Sequence, residues 1–293
     1  MGKTNRRAVS NSGTFTKIES ASECFDLSVP AAQTQEALCD FLDGLRSRSW
    51  WAISVNDLRG RYRRTILGPW WLVLGTGISL SAMGIVWATL FGMDLRTFFP
   101  YLIAGYITYV MWSSFLTEGC STFTNGAAAS IQRNINLPKT VHPFRLVART
   151  FLLFLHNLVL FLIVAAIFST PATAWTLLVI PALFVTLLNG IWVSIVFGIL
   201  GARFRDIEPI IGALMTFVFL VTPVMWRPAQ LGTRRFIADF NPLTHFLDIV
   251  REPLLGQPPS LTSWEVVLGI TICGYVVSFF LFRAYRTRIT FWL

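Results

Sequence analysis

Charged residues are scarce in this sequence. Asp, Glu, Lys and Arg make up 13% of its 293 residues, whereas a soluble domain carries roughly 25%. Hydrophobic residues reach 54%, and the mean hydropathy is +0.59. The formal net charge is nevertheless +9. Because the basic residues flank apolar runs and form no single face, this charge indicates a membrane protein and argues against a nucleic-acid-binding protein.

Signatures of catalysis and of metal binding are also missing. Gly2-Lys3-Thr4 is similar to the end of a phosphate-binding loop, but neither the strand nor the first glycine of that motif precedes it. No His-Glu-x-x-His or Gly-x-Ser-x-Gly motif occurs. The four cysteines show no disulfide or metal spacing. We therefore expect a chain that is not an enzyme, with no catalytic residue, metal site or cofactor of its own.

Long apolar runs dominate the remainder of the chain. A helix needs about 20 mostly apolar residues to cross a bilayer. Six runs qualify: 70–92, 98–119, 144–168, 174–200, 207–226 and 264–283. The third and fourth are separated only by residues 169–173, so we predict that they form a helical hairpin. The sequence thus predicts an all-α integral membrane protein with six transmembrane helices.

The predicted spans hold no Asp, Glu, Lys or Arg in their central thirds. Proton- or sodium-driven carriers usually need buried ionisable groups or broken helices. The energy for any transport is therefore expected to come from another chain.

A basic amphipathic segment over residues 46–66 precedes the first span. Its apolar residues fall on one helical stripe: Trp50, Trp51, Val55, Leu58 and Tyr62. Its arginines turn to another side: Arg59, Arg63 and Arg64. This pattern predicts a helix lying flat at a membrane surface. We expect residues 1–45 to be largely disordered, with a short helix over 35–45, and residues 67–293 to form the transmembrane domain.

Basic residues divide unevenly between the two sides of the predicted membrane. Nineteen lie in the N-terminal region, the 119–149 and 201–206 connections and the C-terminal tail, and five lie on the other side. Since cytoplasmic flanks carry the excess of Lys and Arg, we expect both termini in the cytoplasm. On the outer side, residues 227–263 are too long for a turn and predict one or two short helices at the membrane interface.

Aromatic residues make up 14% of the chain. Flat aromatic rings suit the faces of sugar rings, so some of them are candidates for lining a glycan path. The candidates are Trp87, Phe91, Tyr106, Tyr109, Trp112 and Phe115. Ordinary packing between helices is the alternative for each of them.

Several short motifs occur in a fixed order. They are Tyr62-Arg-Arg-Thr-Ile-Leu-Gly-Pro-Trp-Trp71, Asn136-Leu-Pro138 with Phe144-Arg145, His156-Asn157, Ala202-Arg-Phe-Arg-Asp206 and Thr222-Pro-Val-Met-Trp226, followed by Asn241-Pro-Leu243, Ile249-Val-Arg251 and the basic C-terminal end. Together they resemble the membrane subunit of ABC exporters for cell-surface polysaccharides of the O-antigen and capsule type. The resemblance covers about residues 45–293, and the order of the motifs makes it specific.

The resemblance implies a half-transporter in the bacterial inner membrane. Two copies would form a channel, and two separate ATP-binding subunits, which hold ATP and Mg, would bind beneath it. The substrate would be a long glycan on an undecaprenyl-type lipid carrier, used in lipopolysaccharide biosynthesis. The family's amphipathic segment would be residues 46–64, its coupling helix would lie within 130–143, and its outer gate helices would lie within 236–256.

The resemblance also implies roles for individual residues. Those expected to couple to the ATPase are Arg59, Arg63, Arg133, Asn134, Asn136, Lys139, Arg203, Arg205 and Asp206. Those expected at the outer gate are Phe246, Ile249 and Val250. Two alternatives stay open: an exporter of a small lipid or drug, and a membrane-embedded glycan transferase. A transferase would need a carboxylate or His cluster at one interface, which the sequence does not offer.

Overall fold

The computed structural model describes residues 28–63, 65–125 and 137–292 of the chain. Within these residues the regular structure is helical. The α-helices are α1 (Ser28–Arg46), α2 (Ser49–Tyr62), α3 (Trp70–Phe91), α4 (Leu95–Cys120), α5 (Val141–Ile167), α6 (Val179–Arg203), α7 (Ile207–Val221), α8 (Phe236–Asp239), α9 (Pro242–Leu254) and α10 (Leu261–Trp292). Short 3-10 helices, Ala174–Leu178 and Pro228–Arg234, precede α6 and α8.

Helix α4 lies at the centre of the fold, where it contacts α3, α5, α6, α7 and α9. Its polar and aromatic side chains find partners inside the protein. The Tyr101 hydroxyl donates to the carbonyl oxygen of Pro223 at 3.1 Å. The rings of Trp112 and Phe246 have centroids 4.1 Å apart. A helix surrounded by protein can hold a residue such as Tyr101, because its hydroxyl is satisfied without water.

Helix α6 approaches α4 closely because small residues line their contact. A Cβ added at Gly201 would lie 2.1 Å from the carbonyl oxygen of Cys120. A Cβ at Gly190 would lie 2.8 Å from the ring of Phe115. Small residues let helix backbones approach and gain van der Waals contact where no hydrophobic effect drives association. The α4–α6 pair is therefore a tightly packed unit at the centre of the protein.

Four helical segments are long and apolar enough to cross a membrane. They are Trp70–Phe91, Val141–Ile167, Ala174–Arg203 and Leu261–Ile289. These correspond to the first, third, fourth and sixth predicted spans, and the third and fourth are joined by a short connection as predicted. Helix α4 has 26 residues and so measures about 39 Å, but it is more polar than those four. The total of six spans stays a prediction.

The predicted fifth span, 207–226, is wrong in length. Helix α7 ends at Val221 after 15 residues, and Thr222 is extended with φ −80° and ψ 136°. The residue before a proline is disfavoured in the helical region, and Pro223 follows Thr222 directly. The apolar run therefore continues past the end of the helix.

The ends of the described chain are more helical than predicted. Helix α1 spans Ser28–Arg46 rather than 35–45, so the segment predicted to be disordered is helical from Ser28 onward. Helix α10 extends beyond 264–283 on both sides. A helix, α2, forms within 46–66 as predicted. Two of its residues, Ser54 and Leu58, are buried inside the protein. Residues 1–27 and Arg64 lie outside the described residues.

The close α4–α6 contact generates a stability prediction. We expect Gly201→Ala to destabilise the protein by about 1–3 kcal/mol, since its Cβ would meet a backbone oxygen that cannot rotate away. Thermal unfolding in detergent, followed by tryptophan fluorescence, measures the change.

Gly269→Ala in α10 is the matched control, because nothing lies within 4 Å of the added Cβ. This control should be neutral or slightly stabilising, since alanine favours helix more than glycine does. Equal unfolding temperatures for Gly201→Ala and the wild type would contradict the close contact.

Candidate functional site

Charged side chains gather at one end of the helix bundle, which we call the basic end. It comprises α1, α2, residues 137–140, the loop between α6 and α7 and the C-terminal turns of α10. Arg145 of α5 pairs with Asp57 of α2, and Arg286 of α10 pairs with Glu36 of α1. The Arg203 guanidinium lies 5.9 Å from the ring centroid of Trp292. These contacts join the two termini of the described chain to the connections between the helices.

Two ion pairs fix the helices at the basic end. Arg145 donates to both carboxylate oxygens of Asp57 at 2.5 and 2.7 Å. The Ser54 hydroxyl donates to the carbonyl oxygen of Arg145 at 2.9 Å. One turn further along α5, Arg149 pairs with Glu118 of α4. A bidentate pair with little solvent exposure is geometrically specific, so it holds α2 in one orientation on α5.

Sequence reasoning did not select Asp57, Arg145, Arg149 or Glu118 as functional residues. The one sequence feature that pointed to these residues was the four-residue spacing of Arg145 and Arg149. Residues four apart lie on one face of a helix, so Arg145 and Arg149 had to point to the same side of α5. Their acceptors lie 88 and 31 positions away in the chain, and local sequence patterns carry no information on such partners.

The predicted coupling residues fall into three groups. Arg59, Arg63, Arg203, Arg205 and Asp206 are exposed at the basic end. Lys139 is partly buried and donates a hydrogen bond to the carbonyl oxygen of Arg286. Arg133, Asn134 and Asn136 lie outside the described residues. Arg205 also borders a cavity of about 340 Å³ that Cys120, Glu208 and Trp292 share.

The six candidate path aromatics are divided between surface and interior. Trp87 and Phe91 stack with centroids 5.1 Å apart, and Phe91 is 49% exposed. Tyr106 is partly buried beside Phe219, at 6.2 Å between centroids.

The other three candidates, Tyr109, Trp112 and Phe115, are buried. The Tyr109 hydroxyl donates to the carbonyl oxygen of Met215. In this structure those three rings pack inside the chain rather than along its surface. A path along the surface is therefore compatible with Trp87, Phe91 and Tyr106, and for them it stays a prediction.

Short helices α8 and α9 lie between residues 227 and 263, at the end of the bundle away from α1 and α2. The three predicted gate residues, Phe246, Ile249 and Val250, belong to α9 and are buried. Helix α9 packs on α4, α6 and α10. Its apolar side is thus already covered by the same chain, and a gate role for α9 stays a prediction.

A buried arginine anchors α9. Arg251 is 1% exposed and donates to the carbonyl oxygen of Pro223 at 2.5 Å. It also pairs with Asp248, and its guanidinium lies 4.1 Å from the ring centroid of Tyr101. Burial by itself would lower the pKa of Arg251, but Tyr101, Asp248 and Glu252 together raise it. The residue therefore stays charged and ties α9 to α4.

A polar cavity of about 400 Å³ lies beside Arg251, and Arg227, Arg235 and Glu252 also line it. In the sequence, Arg251 is one of five basic residues on the outer side and the last residue of the Ile249-Val-Arg251 motif, and neither feature predicts its burial. The sequence feature that could have singled out Arg251 is its position directly after two apolar residues, Ile249 and Val250, and three positions after the acidic residue Asp248.

Metal-ligating side chains do not cluster within residues 28–63, 65–125 and 137–292. Within them, no group of three or more His, Cys, Asp or Glu side chains could hold a metal ion. Several charged groups of this part of the chain are instead engaged in ion pairs, among them Arg145 with Asp57 and Arg149 with Glu118. The arrangement therefore offers positioned helices and two charged ends.

The long apolar helices, the charges confined to their ends and the small-residue packing define a helical protein that crosses a membrane several times. Residues 48–255 match the family model described as "ABC-2 type transporter". The chain belongs to this family, whose members are the membrane permease subunits of transporters and work with ATP-binding subunits. It is therefore a multi-pass protein of the bacterial inner membrane.

Similar proteins carry the same kind of description. An O-antigen export system permease protein RfbA of Klebsiella pneumoniae is 22% identical over 230 residues, covering 77% of this chain and 86% of that protein. A protein of the same name from Myxococcus xanthus is 20% identical over 196 residues, covering 66% and 74%. The resemblance to permeases of O-antigen export is thereby confirmed.

The Asp57–Arg145 pair generates a second prediction. Asp57→Asn should destabilise the docking of α2 by about 1.5–3 kcal/mol, because it removes a charge-assisted hydrogen bond from a partly buried arginine. Limited proteolysis after residue 48, on the purified chain in nanodiscs, measures α2 release.

Asp43→Asn is the control, since Asp43 is exposed and its side chain takes no part in the ion pairs of the described residues. A double-mutant cycle with Arg145→Gln isolates the pair. A coupling energy near zero would show that the contact does not hold α2.

Proposed function

We propose that this permease forms the channel of an ABC transporter that exports a lipid-linked polysaccharide of the O-antigen or capsule type across the inner membrane. The observation that carries the proposal is the family match combined with relatives named for O-antigen export, which extend over most of the chain. ATP and Mg would be bound by the partner subunits, whose hydrolysis supplies the energy.

The basic end offers a surface for the ATP-binding subunits. Arg59 and Arg63 of the α2 region and Arg203 and Arg205 of the α6–α7 loop are exposed there. Exposed arginines pair well with carboxylates of a partner. Arg133, Asn134 and Asn136 would belong to the coupling helix. For ATP binding to move the channel, the ATP-binding subunits must bind one channel state more tightly than the other.

A second copy of the chain would complete the channel. Helix α7 is too short to cross a bilayer by itself, and its outer face exposes Ile210, Leu214, Phe217 and Leu220. A short apolar helix is better accommodated against protein than against lipid over its whole length. A homodimer in which α7 faces its counterpart would cover this surface and bring Trp87 and Phe91 toward a shared path.

Gene deletion tests the substrate. Loss of the chain should remove a surface polysaccharide and leave its lipid-linked form inside the cell, and the wild-type gene should restore export. An ATP-binding partner that cannot hydrolyse ATP should fail to restore it. Unchanged surface glycan, with altered efflux of a small lipid or drug, would replace this proposal by the alternative exporter. Accumulation of unmodified lipid-linked acceptor would instead indicate the transferase.

The same assay tests the path with matched variants. Phe91→Ala should lower surface glycan several-fold while the amount of assembled complex stays normal, because Phe91 is exposed. Leu90→Ala, at a 70% exposed neighbouring position, is the control and should export normally. Trp112→Ala should reduce assembly and export together, since removing a buried aromatic ring costs about 3–5 kcal/mol. Normal export by Phe91→Ala would remove this residue from the path.

The excess of basic residues at the basic end supports an orientation with both termini in the cytoplasm. Thr233 and Thr287 are exposed near opposite ends of the bundle. With the four native cysteines replaced by Ala, Thr233→Cys should react with an impermeant thiol reagent added to intact spheroplasts, and Thr287→Cys should react only after lysis. The reverse labelling would overturn this orientation.

A further inference from the structure

Helix α1 lies across the end of the connection between α4 and α5. The Thr140 hydroxyl donates to the carbonyl oxygen of Asp40 at 2.7 Å, and the Thr140 backbone N–H donates to its carboxylate at 3.3 Å. The rings of Phe41 and Phe144 meet edge to face, with centroids 5.4 Å apart. Gly44 lies against Thr140 so closely that an added Cβ would be 2.1 Å from its hydroxyl oxygen. Helix α1 is therefore docked on this connection.

The same helix also holds the last turns of α10. The Arg286 guanidinium donates to the Glu36 carbonyl oxygen at 2.6 Å and to the Glu36 carboxylate at 2.9 Å. It lies 3.9 Å from the carboxylate of Asp40. In return, the Lys139 ammonium donates to the carbonyl oxygen of Arg286. Three segments that are distant in sequence thus meet in one junction, which we call the clamp: Glu36, Asp40, Lys139, Thr140 and Arg286.

The clamp is balanced in charge; the Glu36 side chain is 60% exposed, whereas those of Asp40 and Arg286 are 12% and 21% exposed. Two carboxylates face an ammonium and a guanidinium, and Thr140 is fully buried. Burial and the neighbouring Arg286 lower the pKa of Lys139, whereas Asp40 raises it. Hydrogen bonds to charged groups contribute more than neutral ones when water is partly excluded. The clamp is therefore a specific contact rather than a loose surface association.

The clamp connects the family core to two flanking helices. The family model matches residues 48–255, so Lys139 and Thr140 lie inside that range, whereas α1 precedes it and α10 follows it. At its other end, α10 contacts α9, where His245 Nδ1 and the Ser263 hydroxyl oxygen are 3.1 Å apart. Helix α10 has 32 residues, and its contacts at Ser263 and Arg286 lie about 35 Å apart along the helix axis.

We infer that Glu36, Asp40 and Arg286 are positioning residues that tie the end of the α4–α5 connection to α10. A displacement of residues 139–140 is then passed to α10 and through it to α9. This inference rests on the proposed function, because the proposed coupling helix lies in that connection. Helix α1 stays bound to the α4–α5 connection as a permanent tie and moves with it. It does not have to dissociate from the connection.

Hydrogen exchange of the purified chain in nanodiscs tests the clamp without any partner. Arg286→Gln should speed exchange at least about tenfold over residues 34–46 and 137–140, since a hydrogen bond to a charged group contributes that much to an opening equilibrium. Exchange over 95–120 should not change. Arg283→Gln, one turn earlier in α10, is the control, because Arg283 makes no ion pair within the described residues.

Unchanged exchange in Arg286→Gln would overturn the clamp. Should that variant fail to fold, Glu36→Gln replaces it, since it removes only a carboxylate at the surface. The Glu36→Gln protein should show the same two regions exchanging faster, and wild-type exchange there would equally overturn the inference.

The coupling role has its own readout in the complex with the ATP-binding subunits. Arg286→Gln should lower the amount of glycan exported per ATP hydrolysed several-fold, at a normal amount of assembled complex. If export and ATP hydrolysis fall together in proportion to the complex, the residue is only structural and the inference fails. If the wild type stimulates ATP hydrolysis but exports no polysaccharide, the proposed function fails. In that case the clamp is tested by comparing how strongly the wild-type chain and its Arg286→Gln variant stimulate ATP hydrolysis by the ATP-binding subunits.

A disulfide tests whether the tie is permanent. An added Cβ at Gly44 would lie 3.1 Å from the Thr140 Cβ, so α1 must shift outward by a few tenths of an ångström to reach the 3.5–4.5 Å that disulfides usually span. With the native cysteines replaced by Ala, Gly44→Cys with Thr140→Cys should cross-link, and the oxidised protein should keep the export-to-ATP ratio of the wild type. Export that is lost on oxidation and restored by reductant would show that α1 has to leave, which overturns the permanent tie.

Discussion

A hydrocarbon layer supplies no hydrogen-bonding partners, and this constraint governs the arrangement of the whole protein. Helix α4 is the clearest consequence. Tyr101 and Thr108 would be costly against lipid, but both find acceptors inside the protein: the Tyr101 hydroxyl bonds to the carbonyl oxygens of Pro223 and Trp226, and the Thr108 hydroxyl to the carbonyl oxygen of Ala104 in its own helix. The apolar helices α3, α5, α6 and α10 can then form the lipid-facing surface, because polar side chains are accommodated by α4 at the centre of the bundle.

Charged side chains obey the same constraint, and they lie at the two ends of the bundle. At the basic end, Asp57–Arg145 and Glu118–Arg149 hold α2 and α4 on α5. At the other end, Arg251 holds α9 through Tyr101, Asp248 and the Pro223 carbonyl oxygen. Each end is therefore held together by specific ion pairs, and the long helices between them connect the two. A transporter driven by a partner chain requires such a connection, because the energy enters at one end of the membrane and is used along the path.

The accuracy of sequence-based prediction depended on whether a helix faces lipid or protein. Hydropathy located the four most apolar spans, since a lipid-facing helix has to be apolar along its whole length. It was less reliable for α7, where an apolar run continued beyond Val221 although Pro223 ends the helix. Helicity at 28–34 was also missed, because docking onto α5 and α10 stabilises α1 beyond its intrinsic tendency.

The sequence by itself determined the class of protein, the approximate position of most spans, the absence of a nucleotide-binding motif and the resemblance to polysaccharide-export permeases. These properties depend on composition and on short motifs, which are local. Only the tertiary structure decided which aromatics are internal, that Arg251 is buried, and that Asp57, Arg145, Glu36 and Arg286 are paired. These partners are 88 and 250 positions apart. Such contacts arise from the packing of whole helices, which no local pattern of residues specifies.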